Sequence, residues 1–246
     1  MTYAEYLRGI SFRYIQPHEK VSELYKKCEK LFKVFGGTLE LFNTILPEDQ
    51  QQMRNRVGRL CGIPRMSTYA IAAIINRGVA DMNPGTAFVN VGVWNGFTLL
   101  AGMAGNPDKV CVGVDNFSQF GGPRDAFLER LSRLQSTNHR FYDMDYEEYF
   151  RKVHKEPIGF YIYDGEHSYR NQLRGLQIAE PFVARGGVIL VDDTNVDEVN
   201  KGEPKRATYD FMAKSKHKYD VLFEATTSGN GHPTFWNGVL VLQKTT

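Results

Sequence analysis

The chain's second part alternates short apolar runs with stretches that suit helices, and this alternation restricts the fold more than any other feature. The runs rich in β-branched and aromatic residues are 87–91, 110–114, 160–163 and 188–191. The intervening stretches that suit helices are 97–104, 125–134 and 169–184. Continuous apolar runs are typical of strands covered on both faces of a parallel sheet. Repeated strand–helix–strand units therefore predict an α/β fold with a doubly wound sheet.

Three further runs extend this sheet. Residues 140–142 form a weak strand pattern, and residues 219–223 and 238–243 are separated by a glycine-containing loop at 226–235. The last two runs are typical of an antiparallel hairpin at a sheet edge. The sequence thus predicts seven strands, mostly parallel, with an antiparallel edge hairpin.

The region before Pro84 has a helical pattern instead. Predicted helices cover residues 22–35, a segment that begins at 46–49 and leads into Leu60, and residues 67–76, where Gly78 is expected to end the helix. In the first of these, an apolar face (Leu24, Cys28, Leu31, Phe35) is expected to turn inward and four lysines outward. We interpret residues 1–83 as an N-terminal helical extension, or lid, and residues 84–246 as the main domain.

The charge balance and the cysteines exclude several classes of protein. Thirty Lys and Arg residues stand against 28 Asp and Glu residues, so no long-range attraction to nucleic acid or to a membrane is expected. Cys28, Cys61 and Cys111 are widely spaced and form no CxxC pair, which favours buried thiols in a reducing compartment. No apolar run approaches the roughly 20 residues that span a bilayer. We expect a soluble, cytoplasmic protein.

A glycine-rich turn follows the first predicted strand. Gly92 and Gly96 allow the backbone to approach a ligand closely, and Thr98 lies at the start of the next helix. The spacing is GxxxG and not the GxGxxG of a dinucleotide-binding turn, which argues against a nicotinamide-dependent oxidoreductase. Glycines are also common in tight turns of no function. We interpret this turn as one side of a ligand site.

Acidic residues at two further strand ends indicate a nucleoside. Asp115 ends the second strand about 20 residues after the glycines, where a carboxylate binds ribose hydroxyls, and Asn116 follows it in the same predicted site. Asp143 or Asp145 is expected to face an adenine amino group, although either could cap the helix that begins near Tyr146.

Three carboxylates follow two other strands. Asp164 ends one run, and Asp192 and Asp193 end the next. Neighbouring strands lie about 4.8 Å apart, so these carboxylates can converge although 28 residues separate them. Because like charges repel, such a cluster is typical of a bound hard cation, Mg²⁺ first, with Mn²⁺ or Ca²⁺ as alternatives. The alternative is that these acids cap helices and face water.

A general base beside these carboxylates is expected three residues after Asp164. His167 titrates near neutrality and suits a general base, and Glu166 competes for that role.

The series GVWNG, VGVD, YDGEHSY and VILVDDTN resembles class I S-adenosylmethionine-dependent methyltransferases, and more narrowly the metal-dependent sugar O-methyltransferases of the macrocin and mycinamicin type. The resemblance implies that Gly92, Gly96 and Thr98 line the methionine part of the cofactor and that Asp115 holds its ribose. It also implies Asp164, Asp192 and Asp193 as ligands of Mg²⁺ or Mn²⁺, with Asp164 also beside the cofactor, and His167 as general base. Catechol-type enzymes share the three metal ligands but have a lysine as base, so His167 favours the sugar enzymes.

Two departures from the family pattern stand out. Asn90 replaces the acidic residue usual at the start of the glycine motif, and it can still bond the cofactor amine, without a charge. Some sugar enzymes have an acidic base two residues after the first metal ligand, which keeps Glu166 as an alternative.

The acceptor is predicted to be a small molecule or glycan with vicinal hydroxyls, and a catechol or other phenol is the alternative. The alternative function is that of a non-catalytic cofactor-binding protein. Residues 64–69 and 226–236 are predicted lids, and the predicted sugar-facing rings are Trp94, Phe235 and Trp236. A homo-oligomer, a dimer or larger, is expected, with an aromatic N-terminal arm that crosses to a partner (Tyr3, Tyr6, Phe12, Tyr14).

Overall fold

A computed structural model describes residues 1–34, 37–48, 50–196 and 201–246. Its N-terminal part contains short elements, which are, in chain order, α1 (Tyr3–Gly9), β1 (Ser11–Phe12), α2 (Glu23–Val34), α3 (Glu40–Asn43), β2 (Thr44–Ile45), α4 (Gln50–Val57), a 3₁₀ turn (Gly58–Gly62) and α5 (Tyr69–Ala80). The predicted helix start at 46–49 includes Asp49, and the predicted first helix includes Phe35; both residues lie outside the described ranges.

The remaining elements alternate between strand and helix. In chain order they are β3 (Ala87–Val91), α6 (Phe97–Met103), β4 (Val110–Asp115), α7 (Arg124–Leu134), β5 (His139–Asp143), α8 (Tyr146–Lys152), β6 (Ile158–Tyr163), α9 (Tyr169–Ala179), β7 (Val183–Asp192), α10 (Glu203–Lys214), β8 (Tyr219–Ala225) and β9 (Val239–Lys244).

Seven of these strands form one sheet, in the order β5-β4-β3-β6-β7-β9-β8. Strands β3 to β7 are parallel, and β9 pairs antiparallel with both β7 and β8. The predicted α/β sheet with an antiparallel edge is therefore confirmed. Strand order reverses at β3, which has β4 on one side and β6 on the other, and such a reversal opens a crevice at the carboxyl ends of the strands.

Two buried clusters cover the two faces of the sheet. One face packs against α8, α9 and α10, and the other against α1, α5, α6 and α7. Tyr6, Leu7 and Ile75 from the N-terminal part share this second cluster with Phe88 and Phe160 of the sheet. The extension therefore supplies one of the layers that bury the sheet.

Helix α5 does not end at Gly78, as the sequence predicted, but continues to Ala80. A Cβ atom at position 78 would lie 2.1 Å from Cε2 of Phe160, so glycine is present because the helix packs closely on β6. Two other boundaries differ: β7 begins at Val183 and not at Val188, and α9 ends at Ala179 and not at Ala184.

The prediction for α2 was wrong in its orientation. No residue of this helix is buried, and Leu24 and Leu31 are 72% and 58% exposed. Amphipathic spacing indicated a helix, but it did not determine whether the apolar face has a neighbour. In the described part of the chain, no helix has the length and apolarity that would let it cross a bilayer.

Candidate active site

A cavity of about 620 Å³ opens at the carboxyl ends of β3, β4 and β6. Its walls include Gly92, Asp115, Asp164 and His167, together with parts of the N-terminal extension and of the loop before β9. Its position is that of the crevice expected beside β3, and its volume is within the roughly 300–1,000 Å³ range of small-ligand sites.

Two glycines shape the turn after β3. Gly92 has φ +79°, and a Cβ atom there would lie 1.9 Å from the carbonyl oxygen of Asp164. Gly96 has φ +95° and precedes α6, where a Cβ atom would approach Phe127 to 2.7 Å. Both positions need glycine because of backbone conformation and because of close packing. Thr98 follows in α6 and lines the cavity.

Asp115 lies at the tip of β4 and organises the neighbouring turns. Its Oδ2 accepts hydrogen bonds from the backbone N–H groups of Val93 (2.7 Å) and Trp94 (2.8 Å), and its Oδ1 accepts one from Phe117 (2.7 Å). A carboxylate has about four acceptor positions, so one remains for a ligand hydroxyl. Asn116 also lines the cavity, and its Oδ1 accepts a hydrogen bond from the backbone of Ser118.

The two acids considered for the adenine side have different surroundings. Asp145 lines the cavity and caps α8 by accepting hydrogen bonds from Glu147 and Glu148. Asp143 lies outside the cavity, because Arg124 holds its carboxylate in an exposed ion pair. The assignment of Asp143 to the ligand site is thus corrected, and Asp145 is the acid that the cavity contains.

Asn90 is fully buried in β3 and leaves one polar atom without a partner. Its Nδ2 donates to the carbonyl oxygens of Val91 (3.3 Å) and Gly92 (2.9 Å), whereas its Oδ1 has no hydrogen-bond partner among the described residues. A buried acceptor of this kind suits an ammonium donor on a ligand.

The structure brings the carboxylates at the ends of β6 and β7 together around His167. Nε2 of His167 donates to Oδ2 of Asp193 (2.9 Å) and lies 3.7 Å from Oδ1 of Asp164. One ligand atom each of Asp164, His167 and Asp192 lies within 4.8 Å of the other two. Asp192 is 5% exposed, and its Oδ1 has no partner in the part of the chain that the structure describes. This close set thus contains His167 and two of the three predicted acids, and Asp193 joins it through its hydrogen bond to His167.

Charge repulsion and burial strongly alter the ionisation of this cluster. Burial raises the pKa of Asp164 to about 6, and Asp193 contributes to this rise although His167 opposes it. Burial and then the charge of Asp164 raise the pKa of Asp192 well above its usual range. Burial lowers the pKa of His167, but the hydrogen bond to Asp193 and the surrounding carboxylates outweigh burial and raise it to about 10. His167 is therefore an imidazolium at neutral pH and partly balances the negative charge.

Several residues around the cavity have left-handed backbone conformations that non-glycine residues rarely adopt. Those that line the cavity are Trp94, Phe117, Phe120, Asp193 and Trp236, with φ between +46° and +53°. Such conformations persist where the surroundings impose them, and they are concentrated at functional sites.

Both segments predicted as lids reach the cavity. Arg65, Met66 and Ser67 line it from the extension, and Asn230, Gly231 and Trp236 line it from the loop before β9. Thr68 joins the two segments by donating from Oγ1 to the carbonyl oxygen of Thr234 (2.6 Å).

Only some of the aromatic residues predicted to face a sugar line the cavity. Trp94 and Trp236 line the cavity, but Phe235 is 2% exposed and packs against Phe12 and Phe223, so it presents no face to a ligand. Of the N-terminal arm, Tyr6 and Phe12 are buried within the chain itself and Tyr14 is exposed.

Two cavity residues were not anticipated from the sequence. Asn237 donates from Nδ2 to Oδ1 of Asp193, and Asn171 donates to Oε2 of Glu166, the competing base. Asn237 lies 44 residues from Asp193 in a loop without a recognisable motif, so no sequence signal pointed to it.

Comparison with known proteins shows a matching domain and a shared fold. Residues 89–194 match the family model described as a methyltransferase domain. A protein from Klebsiella pneumoniae named as an O-methyltransferase shares 12% identity and a TM-score of 0.56 over 91% of this chain and 100% of its own. A protein from Staphylococcus aureus named as a caffeoyl-CoA O-methyltransferase shares 10% identity and a TM-score of 0.55 with the same two coverages. A cofactor-bound protein from MTB shares 14% identity and a TM-score of 0.55 over 74% of this chain and 83% of its own.

The sheet order and the crevice beside β3 are those of a Rossmann-like methyltransferase fold, and residues 89–194 match a methyltransferase domain. Two of these similar structures are named as O-methyltransferases, and at 10–12% identity they share the fold of this chain. No curated protein matches this chain.

Proposed function

We propose that this protein is a divalent-metal-dependent O-methyltransferase that transfers the methyl group of S-adenosylmethionine to one hydroxyl of a vicinal diol on a sugar or glycan. The observation that carries the proposal is the approach of Asp164 and Asp192 to each other beside His167, with Asp193 hydrogen-bonded to the same ring. Three carboxylates in one partly buried place are unfavourable without a compensating positive charge.

The donor set fits a hard divalent cation. Asp164 and Asp192 offer oxygen atoms close to each other, and Oδ1 of Asp192 is buried without a partner among the described residues. Oxygen donors of this kind are those that Mg²⁺ and Mn²⁺ prefer. We assign Asp164, Asp192 and Asp193 as the ligands. A divalent ion held by these residues would lower the pKa of an acceptor hydroxyl and help to orient it.

The other side of the cavity fits the cofactor. Asn90 does not itself line the cavity, although its neighbours Val91 and Gly92 do, and its unpartnered Oδ1 is the acceptor that we propose for the ammonium group of the methionine part. Asp115 has an acceptor position left for a ribose hydroxyl. Gly92 and Gly96 let the turn pack closely without side chains, which leaves room for the cofactor. Asp145 lines the cavity and is the acid that we propose beside the adenine. S-adenosylmethionine supplies an electrophilic methyl group on sulfur.

His167 is the base that we propose for the acceptor hydroxyl. As an imidazolium it cannot accept a proton, and the surrounding carboxylates are what hold that proton in place. A divalent cation held by the same carboxylates would weaken their hold on that proton and would lower the pKa of His167. His167 is then positioned to take the hydroxyl proton. Glu166 is the alternative base, because it lines the cavity two residues after Asp164.

A catechol or other phenolic diol is the second candidate acceptor. Trp94, Phe117 and Phe120 line one wall of the cavity, and aromatic faces stack on planar rings as well as on the C–H face of a sugar. The chemistry at the carboxylates is the same for both acceptors.

The primary test measures transfer of a labelled methyl group to a panel of glycans and catechols, with Mg²⁺, with Mn²⁺ and with excess chelator. We expect activity that requires the metal and a preference for glycans. Activity that is unchanged in chelator contradicts the metal role, and a preference for catechols selects the second acceptor.

Substitution separates the metal ligands from the cofactor site. Asp192→Asn is expected to lower turnover about 100-fold or more, because a ligand and its charge are lost, while S-adenosylhomocysteine affinity stays within about three-fold. Asp143→Asn is the matched control, since Asp143 lies outside the cavity. A loss of cofactor affinity equal to the loss of turnover contradicts the assignment.

The base is tested by His167→Gln and Glu166→Gln, compared at saturating cofactor. We expect the larger loss of turnover for His167→Gln, about 100-fold, as for removal of a general base. A larger loss for Glu166→Gln transfers the role to Glu166.

A further inference from the structure

The loop before β9 meets the acidic cluster through one side chain. Asn237 lines the cavity and uses both ends of its amide: Nδ2 donates to Oδ1 of Asp193, and Oδ1 accepts a hydrogen bond from the backbone N–H of Gly231 (2.7 Å). The backbone carbonyl oxygen of Asn237 accepts a further hydrogen bond from the backbone N–H of Asn195 (2.8 Å). The amide is therefore fixed in orientation before any ligand binds.

The same loop is anchored at points far from Asp193. Asn195 pairs with Thr227 through Nδ2 to Oγ1 (2.8 Å), and its Oδ1 accepts from the backbone N–H of Thr227 (2.9 Å). Ser228 donates its backbone N–H to Pro17 (2.8 Å), and the ring of buried His232 contacts the carbonyl oxygen of Glu19 (3.0 Å). The loop is thus held at several separate points besides its contact with Asp193.

Asp193 needs such support. Its backbone is in the left-handed region at φ +52°, and its carboxylate lies beside two other acids. His167 holds Oδ2 from one side and Asn237 holds Oδ1 from the other. Without the amide donor, repulsion from Asp164 favours rotation of the Asp193 carboxylate away from the cluster.

From these contacts we infer that Asn237 is a positioning residue, which holds the Asp193 carboxylate towards Asp164 and Asp192 so that the three can share one divalent cation. This inference rests on the proposed function. Hydrogen bonds to ligating carboxylates orient them, and losing one costs about 10- to 100-fold in metal affinity in typical sites. Asn237 touches neither the cofactor side of the cavity nor the glycine turn in its hydrogen bonds with described residues, so cofactor affinity has no reason to change.

The test measures the Mn²⁺ affinity of residues 1–246 by electron paramagnetic resonance of free Mn²⁺, with S-adenosylhomocysteine affinity measured on the same samples. We expect Asn237→Ala and Asn237→Ser to lose about 10- to 100-fold in Mn²⁺ affinity, with S-adenosylhomocysteine affinity within about two-fold. Retained binding of S-adenosylhomocysteine demonstrates that a variant is folded. If Asn237→Ala does not fold, Asn237→Ser provides the test.

Two control variants distinguish the amide donor from general loosening of the loop. Asn230→Ala changes an asparagine in the same loop whose side chain makes no hydrogen bond with the described residues, and we expect unchanged Mn²⁺ affinity. Thr227→Val removes a loop anchor and leaves the bond to Asp193 intact, so its Mn²⁺ affinity is also expected to stay near that of the unsubstituted protein.

The outcomes separate this inference from the function on which it rests. One outcome is that the unsubstituted protein binds no Mn²⁺, or that Asp192→Asn binds Mn²⁺ equally well. In either case the proposed metal dependence fails, and the inference fails with it. If Mn²⁺ binds there and Asn237→Ala binds it equally well, the inference alone fails. If Thr227→Val reproduces the loss, the loop as a whole positions Asp193 and the assignment to the Asn237 amide is overturned.

Discussion

His167 determines how the cluster behaves without a metal. Its imidazolium is surrounded by the carboxylates of Asp164, Asp192 and Asp193, and its Nδ1 is buried without a hydrogen-bond partner among the described residues. The ring is therefore oriented by the acids on its Nε2 side. The carboxylates that hold this imidazolium are the same ones that we propose as ligands of a divalent cation.

The first prediction follows from the pKa of His167, which rises from 6.5 to about 10 in the folded protein. The stabilisation that this rise represents is complete below about pH 6.5 and is lost as the pH increases towards 10. We expect the free energy of unfolding of the metal-free protein to fall more steeply over this window than that of His167→Gln. The raised pKa of Asp164, about 6, acts in a lower window: its destabilising effect develops between pH 3.8 and 6.

Urea unfolding in chelator at about pH 6.5, 8 and 9.5 measures this difference across the window in which the imidazolium loses its proton, with Asp143→Asn as a surface control. Parallel pH profiles for the unsubstituted protein and His167→Gln would contradict the raised pKa of His167.

The position of the site was predictable from the sequence, but the orientation of its side chains was not. Residues that end parallel strands lie at one edge of a sheet, so the meeting of Asp164 with Asp192 followed from the strand pattern alone. Contacts made between distant segments decided the rest. Arg124 turns Asp143 away from the cavity, and Asn237 reaches Asp193 across 44 residues. No local pattern encodes such contacts.

At the scale of the elements, close packing explains the boundaries that the sequence pattern missed. Glycine near the end of an apolar helical run is a usual stop signal. In α5 it has another cause, because the helix lies so close to β6 that no side chain fits at position 78. The strand pattern was more reliable, since burial on both faces leaves little choice of residue. In α2 the opposite occurred: the periodicity correctly predicted a helix, but the predicted burial of its apolar face was wrong.

The second prediction concerns this helix-to-strand contact. Alanine at position 78 would improve helix propensity by about 1 kcal/mol, but its Cβ would lie 2.1 Å from Phe160 and 2.8 Å from the hydroxyl oxygen of Tyr3. We expect Gly78→Ala to lower the free energy of unfolding by about 1–3 kcal/mol, because overpacking outweighs propensity.

Denaturant unfolding measures the stability of Gly78→Ala, with Gly62→Ala as the control. Gly62 is exposed, and a Cβ there would meet no described atom within 4 Å. The control is expected to change stability by less than about 0.5 kcal/mol. A Gly78→Ala protein that is as stable as the control, or more so, would show that α5 can move away from β6 at little cost.

At the scale of the whole molecule, the N-terminal extension and the sheet form one packed unit. The cavity has three contributors: the ends of the strands, residues 65–67 of the extension, and the loop before β9. Thr68 and Glu19 tie the extension to that loop through Thr234 and His232. A change in the extension therefore reaches the wall of the cavity through hydrogen bonds as well as through packing.

The third prediction is that residues 84–246 do not fold without residues 1–83. Ile71, Ile74 and Ile75 of α5 are at most 1% exposed and cover the same face of the sheet as Phe88 and Phe160. Removing them exposes that apolar face to water, and burial of such a face is the main source of stability. We expect the fragment to aggregate or to lack a cooperative transition, whereas the full chain unfolds in one calorimetric transition.

Point variants test the same claim when the fragment cannot be purified. Ile75→Ala is expected to cost about 2–5 kcal/mol, as for a buried isoleucine, and Leu31→Ala less than about 0.5 kcal/mol, because Leu31 is largely exposed. A single transition that shifts as a whole in Ile75→Ala indicates that α5 and the sheet unfold together. An early transition that leaves a stable remainder, or a fragment that melts cooperatively near the temperature of the full chain, would make the extension a separate layer. Its role at the cavity would then depend on the hydrogen bonds of Thr68 and Glu19 and not on a shared core.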